Sequence, residues 1–240
     1  QKWYQQIPLV DAILPQKTNG KGADNVLRAL DLFCCAGGAS EGIRRAGFDV
    51  VVGVDIEPQP HYPFEFHRAD AMTFPLDGFD FIWASPPCQA YTLCQRIQKN
   101  EHPDLVGPIR NRLIASGIPF CIENVPGAPL VDPIELCGMM FGLQTYRHRL
   151  FECSYPIEQP AHPEHVARNA KMGRPIRDGE FIQVVGNFSD VTFARRAMDI
   201  DWMTRDKLRE AIPPPFAEYV ALAARVEIAR RETRVTPDTP

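Results

Sequence analysis

The sequence lacks the marks of several common classes. It has no apolar run that could span a bilayer: the longest late stretch, 216–229, is broken by Glu218, Arg225 and Glu227, whereas a membrane helix needs about 20 consecutive apolar residues. No charged leader followed by an apolar run is present, so a soluble protein is expected. Positive charge is not in excess, because 26 Lys and Arg stand against 30 Asp and Glu, a net charge of -4. Any contact with nucleic acid must therefore come from a local patch. The seven cysteines have neither the paired spacing of a zinc ribbon nor the density of a disulfide scaffold, which suits a reducing cytoplasm. Gly-x-Gly-x-x-Gly is absent, so a nicotinamide dinucleotide is not specifically indicated. No internal repeat is present.

What remains is a chain of 240 residues, 45% of them hydrophobic, enough for one substantial core and short for two. Residues 15–24, PQKTNGKGAD, are turn-rich and set off residues 1–25 as an N-terminal extension. From Val26 the pattern becomes regular. An apolar strand ends at LDLF, CAGGAS makes a turn, and EGIRRAGF reads as a helix. VVVGVDI, FEFHRAD and FDFIWASPP read as strands from their β-branched and aromatic content. Leu105, Ile109 and Leu113 form the stripe of an amphipathic helix between His102 and Gly117, and PFCIENV is a further buried strand. Alternating strands and helices predict a doubly wound α/β fold with a mostly parallel sheet. The region from Tyr155 to Asp178 reads as a long loop, and Thr204 to Arg231 as helix, proline break, helix.

In open α/β sheets ligands bind beyond the carboxyl ends of the strands. Four such ends stand out. The turn Phe33–Gly38 contains Ala36, Gly37 and Gly38, where missing side chains would allow close backbone approach and the next helix N-terminus offers free amides. Asp55 ends the next strand and is either a ribose-binding acid or a solvated loop acid. Asp70 is either a partner for an adenine amino group or a turn cap. In SPPCQAYT, residues 85–92, two prolines hold Cys88 in a rigid turn at the sheet edge. For Cys34, Cys121 and Cys137 the buried-hydrophobe reading is preferred. Glu123 closes the fifth strand on the same edge, after an apolar run that would raise its pKa and suit it to proton donation.

DLFCCAGGASEGIRRAGF, VDIEP, ASPPCQAYT, CIENVPG and YRHRLFE, in this order, closely resemble the C5-cytosine DNA methyltransferase family, its small phage-type members in particular. The likeness is strong over about residues 27–154 and looser over IPPPFAEYVALA. It implies the Rossmann-like fold of class I S-adenosylmethionine-dependent methyltransferases, with a catalytic domain over 26–154, a reduced target-recognition segment over 155–180, and residues 181–240 completing the catalytic domain. It carries the nucleophile to Cys88, the group that holds and protonates cytosine N3 to Glu123, and the arginine pair to Arg147 and Arg149. The S-adenosylmethionine site falls on Phe33, Ala36, Gly37, Gly38, Asp55, Ile56, Asp70, Ala71 and Pro87. Gln89, Tyr91 and Thr92 fall on the mobile catalytic loop that meets DNA, where Arg96 and Lys99 are either phosphate contacts or an exposed loop face. The implied partner is double-stranded DNA and the implied location the cytoplasm of a bacterium or phage-infected cell; a monomer is expected. The phage-like likeness suggests an orphan or host-defence role.

The chemistry needs these residue types. Cytosine C5 is a poor nucleophile until a thiolate adds at C6 and N3 is protonated. The target atoms are hidden in a stacked duplex, so the base must be flipped out, at a cost of a few kcal/mol.

The chain departs from the family pattern at three places. Cys35 stands where glycine is usual, Thr145 where glutamine is expected, with Gln144 one position out of register, and Glu210–Ala211 where Gly-Asn is usual. Between Glu152 and Phe181 only a short stretch replaces the large recognition domain of relatives. Within it Arg168, Lys171, Arg174 and Arg177 form a basic segment with no acid between His165 and Arg177, which points to DNA contact and a short or relaxed recognition sequence. Cys153, His162 and His165 lack a fourth partner as zinc ligands, so no metal is expected. Competing readings are an RNA cytosine methyltransferase, a catalytically silent binder of S-adenosylmethionine or DNA, and a dinucleotide oxidoreductase on the same sheet type.

Overall fold

The structure, a computed structural model, describes residues 26–91, 103–171 and 174–235. The N-terminal extension, Thr92, Arg96 and Lys99 lie outside the described residues. Five strands, β1 (Arg28–Leu32), β2 (Val50–Asp55), β3 (Glu65–Arg68), β4 (Phe81–Ala84) and β5 (Phe120–Asn124), pair in parallel. With β6 (Ile134–Leu136) and β7 (Arg149–Cys153) they make one seven-stranded sheet, ordered β3-β2-β1-β4-β5-β7-β6. The helices are α1 (Gly38–Arg45), α2 (Val106–Ser116), α3 (Val191–Met198), α4 (Arg205–Glu210) and α5 (Pro214–Val235). The expected doubly wound, mostly parallel sheet is present.

Both sheet faces are covered, which explains why the parallel strands read as nearly continuous apolar runs. The pleat sends Leu30, Leu32, Ile82 and Ile122 to one face, where they meet Ile109 and Leu113 of α2. Leu105, the third member of the predicted stripe, is instead the helix N-cap. Ala29, Phe81, Trp83 and Phe151 face the other side, against Ile43 of α1 and Phe216 and Val220 of α5. A third cluster joins Ile182, Val184, Met198, Met203 and Leu208 to Ala36 at the sheet edge.

Three elements escaped the sequence reading. β6 is three residues long, β7 begins with Arg and carries Glu152 on an otherwise short apolar run, and neither gives a strong period-two signal. The helix α3 was hidden because its eight residues bury only Ala194, Ala197 and Met198, too short and small an apolar face to stand out. β7 is antiparallel to both neighbours, so the start of this strand, unlike that of β1 to β5, lies at the carboxyl edge of the sheet. Asn124 pairs with Leu150 and Glu123 with Phe151, bringing Arg147 and Arg149 to the edge that carries the strand-end acids.

The turn after β1 has a different reason for its glycines than close approach to a ligand. A Cβ on Gly38 would stand 2.3 Å from the carbonyl oxygen of Ile212, and one on Gly42 2.2 Å from that of Pro214. These residues let α1 lie directly on the start of α5. Gly37 is required by its own backbone, at φ 82.

Candidate active site

Cys88, Glu123 and Arg149 meet at the carboxyl edge of β4 and β5. Pro86 and Pro87 stop β4, and a single 3-10 turn, Gln89–Tyr91, follows, its Tyr91 amide donating to the Cys88 carbonyl at 2.9 Å. Asn124, buried at the end of β5, donates through Nδ2 to the Pro86 carbonyl at 3.0 Å. That bond fixes the thiol-bearing turn to the strand carrying Glu123. Asn124 was legible as part of the Glu-Asn-Val run, but its partner was not.

Glu123 is 5% exposed. Burial pushes its carboxyl above the usual range, opposed by the Arg149 guanidinium, the Ser85 hydroxyl and Arg147. Arg149 Nε lies 3.2 Å from Glu123 Oε1. Ser85 is in turn held by Trp83, whose indole Nε1 donates to its hydroxyl at 2.8 Å. Sequence reasoning missed Ser85, although it opens the quoted Ser-Pro-Pro-Cys. The Cys88 thiol is partly buried and free of any disulfide. Burial and the nearby Glu123 push it up, while Arg149 and Arg147 pull it down.

Arg147 occupies a different place from its neighbour. It is buried, at φ 37, and its guanidinium donates to three carbonyls: Nε to Ala211 at 2.8 Å, Nη1 to Val184 at 3.0 Å and Nη2 to Arg209 at 2.8 Å. It is a strut between the sheet edge and residues 184–211.

At the neighbouring edge the loop after β1 turns through left-handed conformations at Phe33, Cys35 and Gly37. Asp55 holds it: Oδ2 accepts from the Cys35 amide at 2.9 Å and Oδ1 from the Glu57 amide at 2.9 Å. Ile56 beside it is 65% exposed. Asp70 behaves as the turn cap, with Oδ1 accepting from the Met72 amide at 2.8 Å. Ala71 is buried and its carbonyl accepts from Arg112. Ala36 is also buried, in the cluster under residues 182–211, and its carbonyl accepts from Trp202 Nε1 at 2.9 Å. The side chains of Ala36 and Ala71 are thus core, not ligand surface.

The loop and basic residues are less unified. Gln89 is exposed, while the Tyr91 hydroxyl donates to Asp104. Arg168, Lys171 and Arg177 are exposed, but the absence of a nearby acid fails in three dimensions. Gly179, at φ 78, helps turn the chain so that Glu180 folds back. It takes Arg174 Nη1 at 2.8 Å and the Arg177 amide at 3.0 Å. Arg174 lowers the Glu180 carboxyl to about 2. The zinc reading also changes. Cys153 lies on β7 opposite Cys121, but the fold supplies the partner that the spacing lacked: His162 and His165 converge with Cys137 and His148.

Residues 27–127 match the family model of the C-5 cytosine-specific DNA methylase. No curated protein sequence matches significantly. Among solved structures, a prophage-encoded E. coli protein named for an inferred DNA modification methyltransferase activity is similar with a TM-score of 0.60 and 16% identity, over 85% of this chain and 99% of that one. The Entamoeba histolytica methyltransferase EhMeth aligns at TM-score 0.56 and 11% identity, over 84% and 98%. The Dnmt2 methyltransferase of S. pombe aligns at 0.50 and 14%, over 83% and 98%. At these identities the likeness is one of fold. The segment that matches the C-5 cytosine-specific DNA methylase model holds β1 to β5, the thiol and the buried carboxyl.

Proposed function

We propose that the chain is a DNA (cytosine-5-)-methyltransferase that transfers a methyl group from S-adenosylmethionine to C5 of a flipped cytosine, through a covalent bond between Cys88 and C6. The observation that carries this reading is the convergence of Cys88, buried Glu123 and Arg149 on one sheet edge. Within it, the Cys88 thiolate adds to C6 while Glu123 delivers a proton to N3, which turns the ring into an enamine nucleophilic at C5. Once C5 carries the methyl group, loss of the C5 proton to a base expels the Cys88 thiolate, and N3 returns its proton to Glu123, which restores the neutral ring. Arg149 holds Glu123 in place, and Arg147 positions the segment that bears Arg149.

The edge of β1 and β2 fits S-adenosylmethionine. The Asp55 carboxylate is fixed by two amides yet keeps a lone pair on each oxygen for ribose hydroxyls, and Ile56 offers an exposed apolar side chain beside it for a purine face. When bound there, S-adenosylmethionine supplies an electrophilic sulfonium methyl. Phe33 and Gly37 shape the loop that would hold its amino acid end.

Double-stranded DNA is the proposed partner. Gln89 and Tyr91 would face the gap left by the flipped base, and Arg168, Lys171 and Arg177 would meet phosphates. Arg174 contributes less than the sequence suggested, since Glu180 neutralises it. The test is nucleoside mass spectrometry of plasmid DNA from cells lacking cytosine methylation, expressing this chain or Cys88→Ala. The expected result is 5-methylcytosine only with the intact thiol. Unmodified DNA with 5-methylcytosine in cellular RNA would move the substrate to RNA, and no product in either would leave a silent binder.

A further inference from the structure

The geometry points to a zinc ion held by Cys137, His148, His162 and His165, which fastens the short segment after β7 to the edge of the sheet. One ligand atom from each residue lies within 4.8 Å of the others. Cys137 Sγ is 3.3 Å from His165 Nε2, and His148 Nε2 is 3.1 Å from His162 Nε2. A tetrahedral zinc, with bonds of about 2.0–2.3 Å, needs ligand-to-ligand edges of roughly 3.3–3.6 Å. Small movements would close the set around an ion.

Two of the ligands flank the paired ends of β6 and β7. The last registered pair of β6 and β7 is Leu136 opposite Arg149, so one step further the ladder sets Cys137 against His148. Beyond the ladder, and one residue out of its register, the Gly138 amide donates to the Tyr146 carbonyl at 2.7 Å and keeps the two segments together. A Cβ on Gly138 would lie 1.9 Å from the Thr145 carbonyl oxygen, so only glycine permits this approach. The other two ligands, spaced i and i+3, come from the loop that follows β7. His162 donates through Nδ1 to the Pro163 carbonyl at 2.8 Å, which fixes its tautomer with the Nε2 lone pair turned toward the cluster. The ring of Tyr146 stacks on His165 at 3.8 Å.

Without an ion the four groups make two neutral hydrogen bonds at most, and the three imidazoles crowd ring to ring at 4.9–5.3 Å. With it, the Cys137 thiol releases its proton to solvent, and the thiolate and three neutral imidazoles complete a closed shell. Four protein ligands leave no open position, so the ion is structural. It would fix the start of the segment that continues into Arg168 and Lys171, a segment tied down elsewhere by few bonds, among them Gln159 with the Glu135 backbone at 2.7 and 2.8 Å and the Tyr146 hydroxyl to the Ala167 carbonyl at 2.5 Å.

The experiment uses the full chain without a polyhistidine tag. Metal is measured by plasma mass spectrometry after dialysis against Zn2+ and then buffer, for the unmodified protein, Cys137→Ser and His162→Ala, with folding checked by circular dichroism. About one zinc per folded chain is expected, falling to background in both variants. His162 is exposed, so that variant keeps its fold and reports on the metal alone. Refilling with Co2+ should give a thiolate charge-transfer band absent from Cys137→Ser, and chelation should open residues 155–168 to protease. A folded protein that holds no zinc, or one whose zinc survives His162→Ala, overturns the proposal. None of these readouts depends on methyl transfer.

Discussion

The thiol of Cys35 donates to a carboxylate oxygen of Glu210 across 3.3 Å. Two of the positions at which this chain departs from the family's glycine-containing pattern therefore touch each other. Burial pushes the thiol up to about 12, with Lys207 opposing and Glu210 adding to the rise, so it remains a proton donor. Cys35 also sits at φ 46, a region that costs a residue with a Cβ about 1–2 kcal/mol. The bond to Glu210 is exposed and offsets only part of that. Cys35→Gly should raise stability by about 1 kcal/mol, seen as a Tm higher by about 2–4 °C. A lower Tm would mean that the thiol–carboxylate contact outweighs the backbone cost.

Glu123 and Cys88 should titrate as one catalytic unit. In the proposed reaction the competent state would carry one proton between them, on Glu123, with Cys88 as thiolate. Activity should rise as pH passes the elevated pKa of Glu123, hold level, and fall once Cys88 also loses its proton, because no proton is then left for N3. Glu123→Gln should lower kcat by about 10²–10⁴-fold. Its residual activity should keep climbing with pH through the Cys88 titration. A pH–rate profile of the two proteins tests this through the sign of the alkaline limb.

Arg147 should matter to stability before chemistry. Arg147→Met keeps the apolar stem but strands three carbonyls that its guanidinium now serves, two of them in buried hydrogen bonds. Its charge is already costly, since burial and Arg149 hold its pKa well below the ordinary value. The expected loss is about 3 kcal/mol in urea unfolding, with residues 182–211 becoming the first region cut by protease. An unchanged urea midpoint would show that the strut carries no net stability.

Asp31 predicts a pH dependence of folding. It is fully buried beneath Ser40, whose hydroxyl donates to Oδ2, while Oδ1 has no partner. Burial pushes its pKa up to about 7, partly opposed by the Ser40 hydrogen bond. The unfolded value is about 3.9, so between these limits the folded state holds a proton that the unfolded state has lost. Stability from this group is therefore present at low pH and is lost as pH rises from about 4 to about 7, with a slope of at most about 1.4 kcal/mol per unit. Asp31→Asn should flatten that slope, and urea melts at pH 5 and pH 8 measure the difference. An unchanged slope would assign the dependence to another group.

Much of the site was legible in one dimension because its residues end strands that announce themselves. LDLF, VVVGVDI, FDFIWASPP and PFCIENV are apolar runs stopped by a polar or proline residue, so Asp55, Cys88 and Glu123 had to lie at one sheet edge once the strands were parallel. The caps and clamps were not legible, because Asn124 to Pro86, Trp83 to Ser85 and Arg147 to the 184–211 carbonyls join groups whose spacing carries no signal.

The sequence by itself determined the parallel α/β sheet and the order of its motifs, and it put Cys88 and Glu123 at strand ends, since strand periodicity and proline punctuation are local properties. The tertiary structure decided the rest. The antiparallel direction of β7 places Arg149 on Glu123, the packing of α5 demands Gly38 and Gly42, the return of Glu180 neutralises Arg174, and the β6–β7 pairing together with the loop after β7 brings Cys137 beside three histidines. Each depends on the direction in which a strand or loop crosses space, and a contact between residues far apart in the chain leaves no periodic trace in either segment.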